Sequence, residues 1–390
     1  MKNFSFHTPT KILFGKGQIE NLGKEIKPYA KKVLLAYGGG SVKKIGLYDK
    51  TISILKENGI EFVELSGIEP NPKIESVRDG VKLCRENNLE AIVAIGGGSV
   101  IDCSKAISAS IDYKGDPWDI LLDSRLITSA IPIFTVLTLS ATGTEMNGNA
   151  VVSNMETNDK KALHSHLVKP VCSVLDPEYT YSVSPWQTAS GVADIMSHIF
   201  EVYFSNADGA LVTDGISETL LKVCMECGER AFKNPDDYEA RANIMWASSL
   251  AINGLTAAGK AGEAWSCHSM EHQLSAYYDI THGAGLATLT PKWFRFILSD
   301  KTVSKFKSYG VNVLGIDATL DPFEIANKAI EKTEDFFFNT LKLPRTLAEY
   351  GIDETHLTDM AQKSAEEGLK FAYVPLSAED VLNIYKSCLK

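Results

Sequence analysis

The five-residue string Gly-Gly-Gly-Ser-Val occurs twice in the first hundred residues, and each copy directly follows a short apolar run. The first copy spans 38–42 after VLLAY, and the second spans 96–100 after AIVAI. Short continuous apolar runs of this kind are typical of parallel strands buried on both faces. A glycine turn between such a strand and helical sequence predicts a strand-to-helix unit, so the chain carries two of them in one sheet.

Further segments in this region alternate between the same two kinds of element. EFVEL at 61–65 and IPIFTV at 131–136 are weaker strand candidates. The segments 41–59 and 73–88 have helical spacing, and each ends near Asn or Gly, a usual helix stop. The alternation predicts an open, mostly parallel α/β sheet.

The second half of the chain has a different pattern. At 390 residues the chain exceeds what one core usually organises, so two domains are expected. Prolines become rarer after about residue 185, and stretches such as 217–232 are rich in helix formers. We place the boundary within LDPEYTYSVSP at 175–185, which predicts an N-terminal α/β domain over 1–181 and an all-α domain over 182–390.

Composition excludes several classes of protein. A formal net charge of −10 argues against a nucleic-acid partner, which would require a basic face. The polar N-terminus does not resemble a signal peptide and no apolar run is long enough to cross a bilayer, so a cytoplasmic protein without a membrane partner is expected. Seven cysteines without framework spacing suit a reducing compartment, and the close pair Cys224 and Cys227 is interpreted as structural.

The two glycine turns are candidates for binding phosphate. A strand-to-helix turn presents free backbone N–H groups and the positive end of the helix dipole, and glycine lets a phosphate approach closely. For a single turn, a plain tight turn with a helix cap is an equally good interpretation. Two turns at the carboxyl ends of strands in one sheet favour a dinucleotide site, because open α/β sheets bind ligands at that edge. The second turn, at Gly97, Gly98 and Ser99, would then hold the pyrophosphate.

The first turn indicates which dinucleotide binds. Sites for NAD usually place a carboxylate here to bind the ribose 2′-hydroxyl, whereas its absence beside basic groups leaves room for a 2′-phosphate. This turn has no carboxylate, and Lys43 and Lys44 follow it, which favours NADP(H). The alternative for the two lysines is a solvated helix face. The residues assigned to this part of the site are Gly38, Gly39, Gly40 and Ser41.

A third small-residue stretch, at 135–147, follows the IPIF strand. Its hydroxyl groups could bond the ribose or the nicotinamide amide, although runs of Ser and Thr are also common in plain loops. The candidates are Thr138, Ser140, Thr142 and Thr144.

A metal site is predicted in the helical half. Asp194 and His198 are spaced i, i+4 and share one helical face, while a second apolar segment supplies His268, His272 and His282. One histidine there would most often be a satisfied core residue, but four with an aspartate favour a metal centre. Imidazole and carboxylate ligands without thiolate suit zinc or ferrous iron equally. A rival pair, His164 and His166, is interpreted as structural.

These motifs together resemble the iron-containing (group III) alcohol dehydrogenase family, most closely its NADPH-dependent butanol dehydrogenase and aldehyde reductase branch. The resemblance covers essentially the whole chain, from FHTPTKILFGKGQIENLG through IEPNP, GGGSVID, SATGTEMN and LDPEYTYSVSP. The segments SVLDPEYTYSVSPWQTASGVADIMSHIFE and WSCHSMEHQLSAYYDITHGAG resemble the family's two long signatures throughout.

The resemblance implies a Rossmann-like NADP-binding domain and a helical metal-binding domain in a dehydroquinate synthase-like architecture. It implies an NADP(H)-dependent enzyme that interconverts primary alcohols, such as butanol, and aldehydes, with one Fe2+ or Zn2+ ion as Lewis acid. A homodimer is also expected from it. By the same resemblance, His272 would lie near the nicotinamide and relay a proton. The implied metal ligands are Asp194, His198, His268 and His282, and the implied coenzyme contacts are Gly97, Gly98, Ser99, Asn71, Thr138, Ser140, Thr142, Gly143 and Lys160.

Two other classes of function use some of the same residues. A non-redox metal enzyme of similar architecture, such as a dehydroquinate-synthase-like lyase or a hydrolase, could employ the same ligands. A nucleotide-binding sensor without turnover is the second alternative, and the complete set of four ligands counts against it.

Overall fold

The computed structural model describes all 390 residues, from Met1 to Lys390. Helices and strands account for most of the chain, with short 3-10 turns and one π-helical turn at Asp335–Thr340 between them. The strands are β1 Lys11–Phe14, β2 Lys32–Tyr37, β3 Glu61–Leu65, β4 Ala91–Gly96, β5 Ile133–Leu137, β6 Asn149–Asn154, β7 Asp159–His164 and β8 Cys172–Leu175. The helices are α1 Leu22–Ile26, α2 Ser41–Lys44, α3 Leu47–Glu57, α4 Ile74–Asn87, α5 Gly98–Ser110, α6 Pro117–Leu122, α7 Pro185–Tyr203, α8 Leu211–Lys233, α9 Tyr238–Ile252, α10 Ser266–Tyr278, α11 His282–Ile297, α12 Val303–Asn312, α13 Pro322–Glu334, α14 Leu357–Glu366 and α15 Ala378–Ser387.

The chain folds into two compact units, and neither is continuous in sequence. The sheet unit contains all eight strands, and the helical unit is built almost entirely from helices. The sheet unit comprises His7–Val183 and Pro235–Ser249, and the helical unit comprises Met1–Phe6, Ser184–Asn234 and Leu250–Lys390.

Two segments therefore differ from the single boundary drawn from the sequence. The N-terminal residues belong to the helical unit, where the backbone N–H of Lys2 donates to the carbonyl oxygen of Gly259 at 2.9 Å. The segment 235–249 belongs to the sheet unit, where Met245 is buried in the core and Trp246 packs edge-on against Phe14. Such long-range packing leaves no mark on local periodicity, so a sequence pattern cannot reveal it.

The sheet unit is built on six parallel strands in the order β1-β8-β5-β4-β2-β3, which confirms the predicted fold class. Apolar clusters cover both faces. Leu34 and Ala36 point into one cluster, while Val33 and Leu35 point into the other. Because successive side chains of a strand alternate between faces, burial on both sides explains the unbroken apolar run of β2.

The strand order places the two glycine turns side by side. β2 lies between β3 and β4, with Tyr37 aligned with Ile95, so the two copies of GGGSV leave neighbouring strand ends. The chain builds outward from β2 to β3 on one side and from β4 to β5 on the other. This reversal is the topological switch point at which doubly wound sheets bind ligands.

Three local features differ from the sequence-based expectation. The helix expected over 41–59 is two helices, α2 and α3, because the chain turns at Gly46 with a φ of 74°. β5 is shifted by one or two residues from the predicted 131–136. An antiparallel hairpin of β6 and β7, which lacks a distinctive turn signal, was not predicted.

The helical unit begins with α7, which has a clear start signal. Ser184 caps the helix by accepting the backbone N–H of Gln187 at 3.2 Å, and Pro185 occupies the first helical position. From Thr188 to Tyr203 every residue of α7 is buried, so this is a central helix of its unit. None of the helices combines the length and apolar character needed to cross a membrane.

Candidate functional site

Three helices of the helical unit bring the predicted metal ligands together. α7 carries Asp194 and His198 one turn apart, α10 carries His268 in its first turn, and α11 begins at His282. Ligand atoms of Asp194, His268 and His282 all lie within 4.8 Å of one another. His198 joins them from the side, with its ring stacked on His268 at a centroid distance of 4.9 Å.

Asp194 lies at the centre of this cluster. Its Oδ1 is 3.4 Å from Nε2 of His198, 3.9 Å from Nε2 of His268 and 3.7 Å from Nε2 of His282. These distances exceed the range of about 2.7–3.2 Å for good N–H···O hydrogen bonds. Three imidazole nitrogens and a carboxylate oxygen therefore converge without bonding one another strongly, as expected of a cation-binding set.

The protonation of the cluster also fits a cation. Burial holds the pKa of His198 well below its ordinary value, and neighbouring His268 acts in the same direction, so His198 is neutral and offers a lone pair. Nε2 of His268 is buried and has no hydrogen-bond partner. Such orphaned buried atoms are rare in proteins, and a bound divalent ion would satisfy this one.

Glu201 orients His268. Its carboxylate accepts the backbone N–H groups of Ser266 and His268, both at 2.9 Å, and so fixes the start of α10. The same carboxylate lies 3.3 Å from Nδ1 of His268. A proton on Nδ1 directed at Glu201 leaves Nε2 as the nitrogen that faces the cluster.

Glu271 does the same for His282. The carboxylate is fully buried, accepts the hydroxyl of Ser275 at 2.5 Å and contacts Nδ1 of His282. Neither glutamate was predicted from the sequence. The available signal was a glutamate three residues after a ligand histidine in each apolar helix, as in His198 to Glu201 and His268 to Glu271.

Two glycines allow α11 to begin inside the cluster. A Cβ at Gly283 would lie 1.9 Å from the carbonyl oxygen of Ser190 and 3.2 Å from Cβ of Asp194. A Cβ at Gly285 would lie 3.0 Å from Cγ of Glu271. The sequence His-Gly-Ala-Gly thus combines a ligand with the close approach of α7 and α10 that the ligand needs.

Three further histidines were considered in the sequence, and only His272 lies beside this cluster in the helical unit. The ring of His272 is 5.6 Å from that of His282 and 6.3 Å from that of His268, centroid to centroid, and it is partly exposed. It is therefore beside the cluster but outside the converging set. His164 and His166 belong to the sheet unit, where His164 contacts the side chain of Asn149.

The two glycine turns of the sheet unit are not equivalent. At the first, a Cβ on Gly39 or Gly40 would meet no atom within 4 Å, and Gly40 has a φ of 117°. This turn leads into α2, which is only four residues long, so the helix-dipole argument applied to it from the sequence is weak there. The turn is open around Gly39 and Gly40, whereas a Cβ on Gly38 would lie 3.0 Å from the carbonyl oxygen of Ile68.

An aromatic cluster adjoins this open turn. The Nζ of Lys43 lies 5.0 Å from the ring centre of Tyr37 and 4.4 Å from that of Tyr48. Both tyrosine hydroxyls donate to the carboxylate of Glu64, on neighbouring β3. The hydrogen bond to Glu64 raises the pKa of Tyr48 to about 12, so its hydroxyl remains a donor. A carboxylate does therefore lie near the first turn, but it is engaged by two tyrosines.

The second turn is packed tightly. A Cβ on Gly96 would lie 2.6 Å from a methyl group of Val100, and a Cβ on Gly98 would lie 2.4 Å from the hydroxyl oxygen of Thr142. This turn leads into α5, thirteen residues long, whose N-terminus can bind an anion. Its glycines are required by packing as well as by any ligand, and Gly97 and Ser99 remain partly exposed.

The other predicted coenzyme residues lie at the same edge. The backbone N–H of Thr138 donates to the carbonyl oxygen of Gly96, which joins the turns after β4 and β5. Lys160, buried on β7, donates to the side chain of Asn71 at 3.1 Å, and Asn71 has a φ of 49°. The unpredicted hairpin therefore carries Lys160 to the loop after β3.

Two family profiles cover nearly the whole chain. The profile of iron-containing alcohol dehydrogenase matches residues 9–177, and that of the C-terminal part of the Fe-containing alcohol dehydrogenase family matches residues 188–389.

Named relatives and solved structures agree with this family. The chain is 54% identical to NADH-dependent butanol dehydrogenase A of Clostridium acetobutylicum, over 99% of each chain. It is 42% identical to NADPH-dependent aldehyde reductase YqhD of Escherichia coli, over 95% of this chain and 94% of that one. The crystal structure of NADH-dependent butanol dehydrogenase A from Thermotoga maritima superposes with a TM-score of 0.95 at 40% identity, covering 100% of this chain and 99% of that one.

The matches confirm the family inferred from the motifs, and with it a nicotinamide coenzyme and a divalent metal as the cofactors of the family. The chain belongs to the iron-containing alcohol dehydrogenase family and has the function of an alcohol or aldehyde oxidoreductase.

Proposed function

We propose that the protein is an NADP(H)-dependent enzyme that interconverts primary alcohols and their aldehydes with the help of one divalent metal ion. The observation that carries this proposal is the convergence of Asp194, His268 and His282, with His198 beside them, in a family of alcohol dehydrogenases. When bound, the metal supplies Lewis-acid polarisation of the substrate oxygen and the nicotinamide supplies or accepts a hydride.

The protein's own residues provide the ligands and their orientation. Asp194 contributes negative charge, and the three histidines contribute neutral nitrogens that leave a net positive charge on a divalent ion. Glu201 and Glu271 hold two of these histidines in the required tautomer. The ligand set contains no thiolate, which fits Fe2+ as well as Zn2+.

We assign proton exchange with the alcohol to His272. It is partly exposed and lies next to His282, so it can pass a proton between the site and water. His272→Ala should keep its metal but turn over more slowly with an altered pH–rate profile. An unchanged rate and profile would make His272 a structural residue.

The preference for NADP(H) rests on the first glycine turn. No side chain fills the space over Gly39 and Gly40, and Lys43 is held nearby on two tyrosine rings. The carboxylate of Glu64, which contacts the same two tyrosines, already accepts both of their hydroxyl groups. This arrangement supports a site for a 2′-phosphate rather than for a free 2′-hydroxyl.

NADH is the second candidate coenzyme, because a relative 54% identical to this chain is named an NADH-dependent butanol dehydrogenase. A relative 42% identical is named an NADPH-dependent aldehyde reductase. The ratio of kcat/KM for NADPH to that for NADH, measured with butanal, decides between them. We expect a ratio above one, and a ratio below one would overturn the NADP(H) assignment.

The same names support straight-chain aldehydes and alcohols as substrates. We expect NADPH oxidation with butanal and related aldehydes, in proportion to the iron or zinc content of the same sample. Activity without bound metal, or none with any aldehyde, would contradict the proposal. The non-redox alternatives predict no change in NADPH absorbance.

We also propose a homodimer. β1 is an edge strand of the sheet, and its outer side offers unpaired backbone groups for association. Light scattering at micromolar concentration should give about twice the chain mass, and a monomer would remove this part of the proposal.

A further inference from the structure

Lys105 is a fully buried lysine that the proposed chemistry does not use. It lies on α5, and its ammonium group contacts five oxygen atoms of three residues. These are the carbonyl and hydroxyl oxygens of Thr144 at 2.6 and 2.7 Å, the carbonyl and side-chain oxygens of Asn147 at 2.8 and 3.1 Å, and the carbonyl oxygen of Asn149 at 2.8 Å.

All five oxygens belong to the segment 144–149, which overlaps the end of the third candidate coenzyme stretch at 135–147. This segment is a single turn of 3-10 helix leading into β6. Carbonyl oxygens that converge on one point would repel one another if the point were empty. The ammonium group therefore stabilises this turn in the same way as a bound monovalent cation would.

Asp102 completes the arrangement on the same helix. The hydroxyl of Thr144 donates to Asp102 at 2.6 Å, which orients its lone pairs toward Lys105, and the backbone N–H of Val151 donates to the second carboxylate oxygen at 3.0 Å. Burial lowers the pKa of Lys105 to about 7, although the charges of Asp102 and Glu145 act in the opposite direction. The five surrounding oxygen atoms all act as acceptors, because Thr144 gives its own proton to Asp102, and this geometry fits an ammonium group better than a neutral amine.

The spacing of these residues links them to the second glycine turn. Gly98, Asp102 and Lys105 follow one another at i, i+4 and i+7, so they form one stripe along α5. At the start of the stripe, Gly98 packs against Thr142, and at its end Lys105 binds the turn that follows Gly143. Helix α5, which begins within the second GGGSV, thereby contacts the segment 142–149 at both of its ends.

We propose that Lys105 is a positioning residue whose ammonium group serves as a built-in cation, holding the 144–149 segment so that Thr142 and Gly143 bind the coenzyme. This inference rests on the proposed coenzyme site. The first GGGSV copy is followed by KKIGLYD and has no such stripe, which distinguishes the two copies.

The primary test compares Lys105→Met with the wild type. Methionine keeps most of the apolar stem and removes the ammonium group, with its charge and its N–H donors. Coenzyme affinity is measured from NADPH fluorescence without substrate, and amide hydrogen exchange is followed in peptides covering 142–151. We expect at least about tenfold weaker binding, faster exchange in those peptides, and unchanged metal content, because all the metal ligands belong to the helical unit.

Chemical rescue tests the ammonium group itself. Lys105→Ala should regain coenzyme affinity when n-propylammonium, the part of the side chain that it lacks, is added. Tetramethylammonium at the same ionic strength has no N–H groups and should not rescue. Lys82→Ala, which alters an exposed lysine on α4, is the matched control and should respond to neither amine.

Several results would overturn the inference. A folded Lys105→Met protein that binds NADPH within about twofold of the wild type would leave Lys105 a purely structural residue. If n-propylammonium does not restore coenzyme affinity to Lys105→Ala, the ammonium group is not what positions the coenzyme site. If the Met variant does not fold, Thr144→Val is compared with Thr144→Ser, and only the variant without the hydroxyl should bind weakly. Equal binding by both would contradict the account. A wild type that binds neither NADPH nor NADH would instead refute the proposed function.

Discussion

Two buried glutamates determine which nitrogen of the adjacent histidines faces the metal cluster. The carboxylate of Glu201 contacts Nδ1 of His268, and that of Glu271 contacts Nδ1 of His282. In both histidines Nε2 is therefore the nitrogen directed toward Asp194. A metal-bound histidine whose other nitrogen donates to a carboxylate is a stronger and better oriented ligand. The strength of the metal site therefore depends on residues that do not touch the metal.

Glu271→Gln tests this dependence. The amide keeps the size of the side chain but removes the charge that holds the proton on Nδ1 of His282, so we expect divalent-metal affinity to fall about 10–100-fold. Affinity is measured by competition with a chromogenic chelator. Glu226→Gln, at an exposed position of α8, is the control and should bind as the wild type does. If the two variants bind equally well, Glu271 does not orient His282.

The first glycine turn supports a second residue-scale prediction. Because a Cβ on Gly39 meets no atom within 4 Å, Gly39→Asp should fold normally and place a carboxylate against a 2′-phosphate. The kcat/KM preference should move from NADPH toward NADH. An equal loss for both coenzymes, or an unchanged ratio, would show that this turn is not the 2′-phosphate site.

Gly97→Asp provides the comparison within the same protein. A Cβ at Gly97 would already lie 3.3 Å from Cβ of Leu139, and the new charge would face the pyrophosphate shared by both coenzymes. We therefore expect NADPH and NADH to be weakened together. A change in their ratio alone would contradict the different roles assigned to the two turns.

Among single residues, the candidate ligands that converge could be predicted from the sequence, and the glutamates that orient them could not. Asp194 and His198 are recognisable because i, i+4 spacing places both on one face of a helix. Glu201 contacts a histidine 67 residues away and Glu271 contacts one on the next helix, so the three-residue spacing marks the glutamates but not the histidines that they orient. The carboxylate of Glu64 near the first turn was missed for the same reason, since it comes from a neighbouring strand.

At the scale of elements, the metal cluster depends on the contact between α7 and α11. Gly283→Ala would put a methyl group 1.9 Å from the carbonyl oxygen of Ser190 and force the two helices apart. We expect the free energy of unfolding of the metal-free protein to fall by about 1–3 kcal/mol, together with weaker metal binding because Asp194 lies at the same contact. Differential scanning calorimetry and a metal titration measure the two effects.

Gly215→Ala is the matched control for that substitution. Gly215 lies within exposed sequence of α8, and a Cβ there meets no atom within 4 Å. Alanine should stabilise the helix by about 0.5–1 kcal/mol. A Gly283→Ala protein as stable as the wild type would mean that the contact between α7 and α11 is not close.

Helices and strands could be predicted where their apolar residues formed a continuous run or a clear period. β2, β3 and β4 were identified from their apolar runs, and α4 from its periodicity. The division of 41–59 into α2 and α3 was not predicted. Gly46 lies within an otherwise continuous helical pattern, and helices often tolerate an isolated glycine. The adjacency of β2 and β4 was not readable either, because strand order depends on packing between distant segments.

At the scale of the whole molecule, the sequence indicated two units but not their discontinuous composition. Residues 1–6 and 235–249 each belong to the unit other than the one their position in sequence suggests. A protein truncated after residue 181 would therefore lack part of its sheet unit, including Ser249. The hydroxyl of Ser249 contacts the buried carboxylate of Glu145. Tests of either unit consequently use the full chain.

The proposed function requires that the protein transfers hydride between a nicotinamide and the carbonyl carbon of an aldehyde. The most direct test supplies the metal-loaded protein with butanal and NADPH carrying deuterium at both C4 positions, and analyses the butanol by mass spectrometry. We expect one deuterium per molecule, located at C1, and none at C1 when unlabelled NADPH is used in D2O. Butanol labelled at C1 from the solvent, or no butanol at all from either NADPH or NADH, would contradict it.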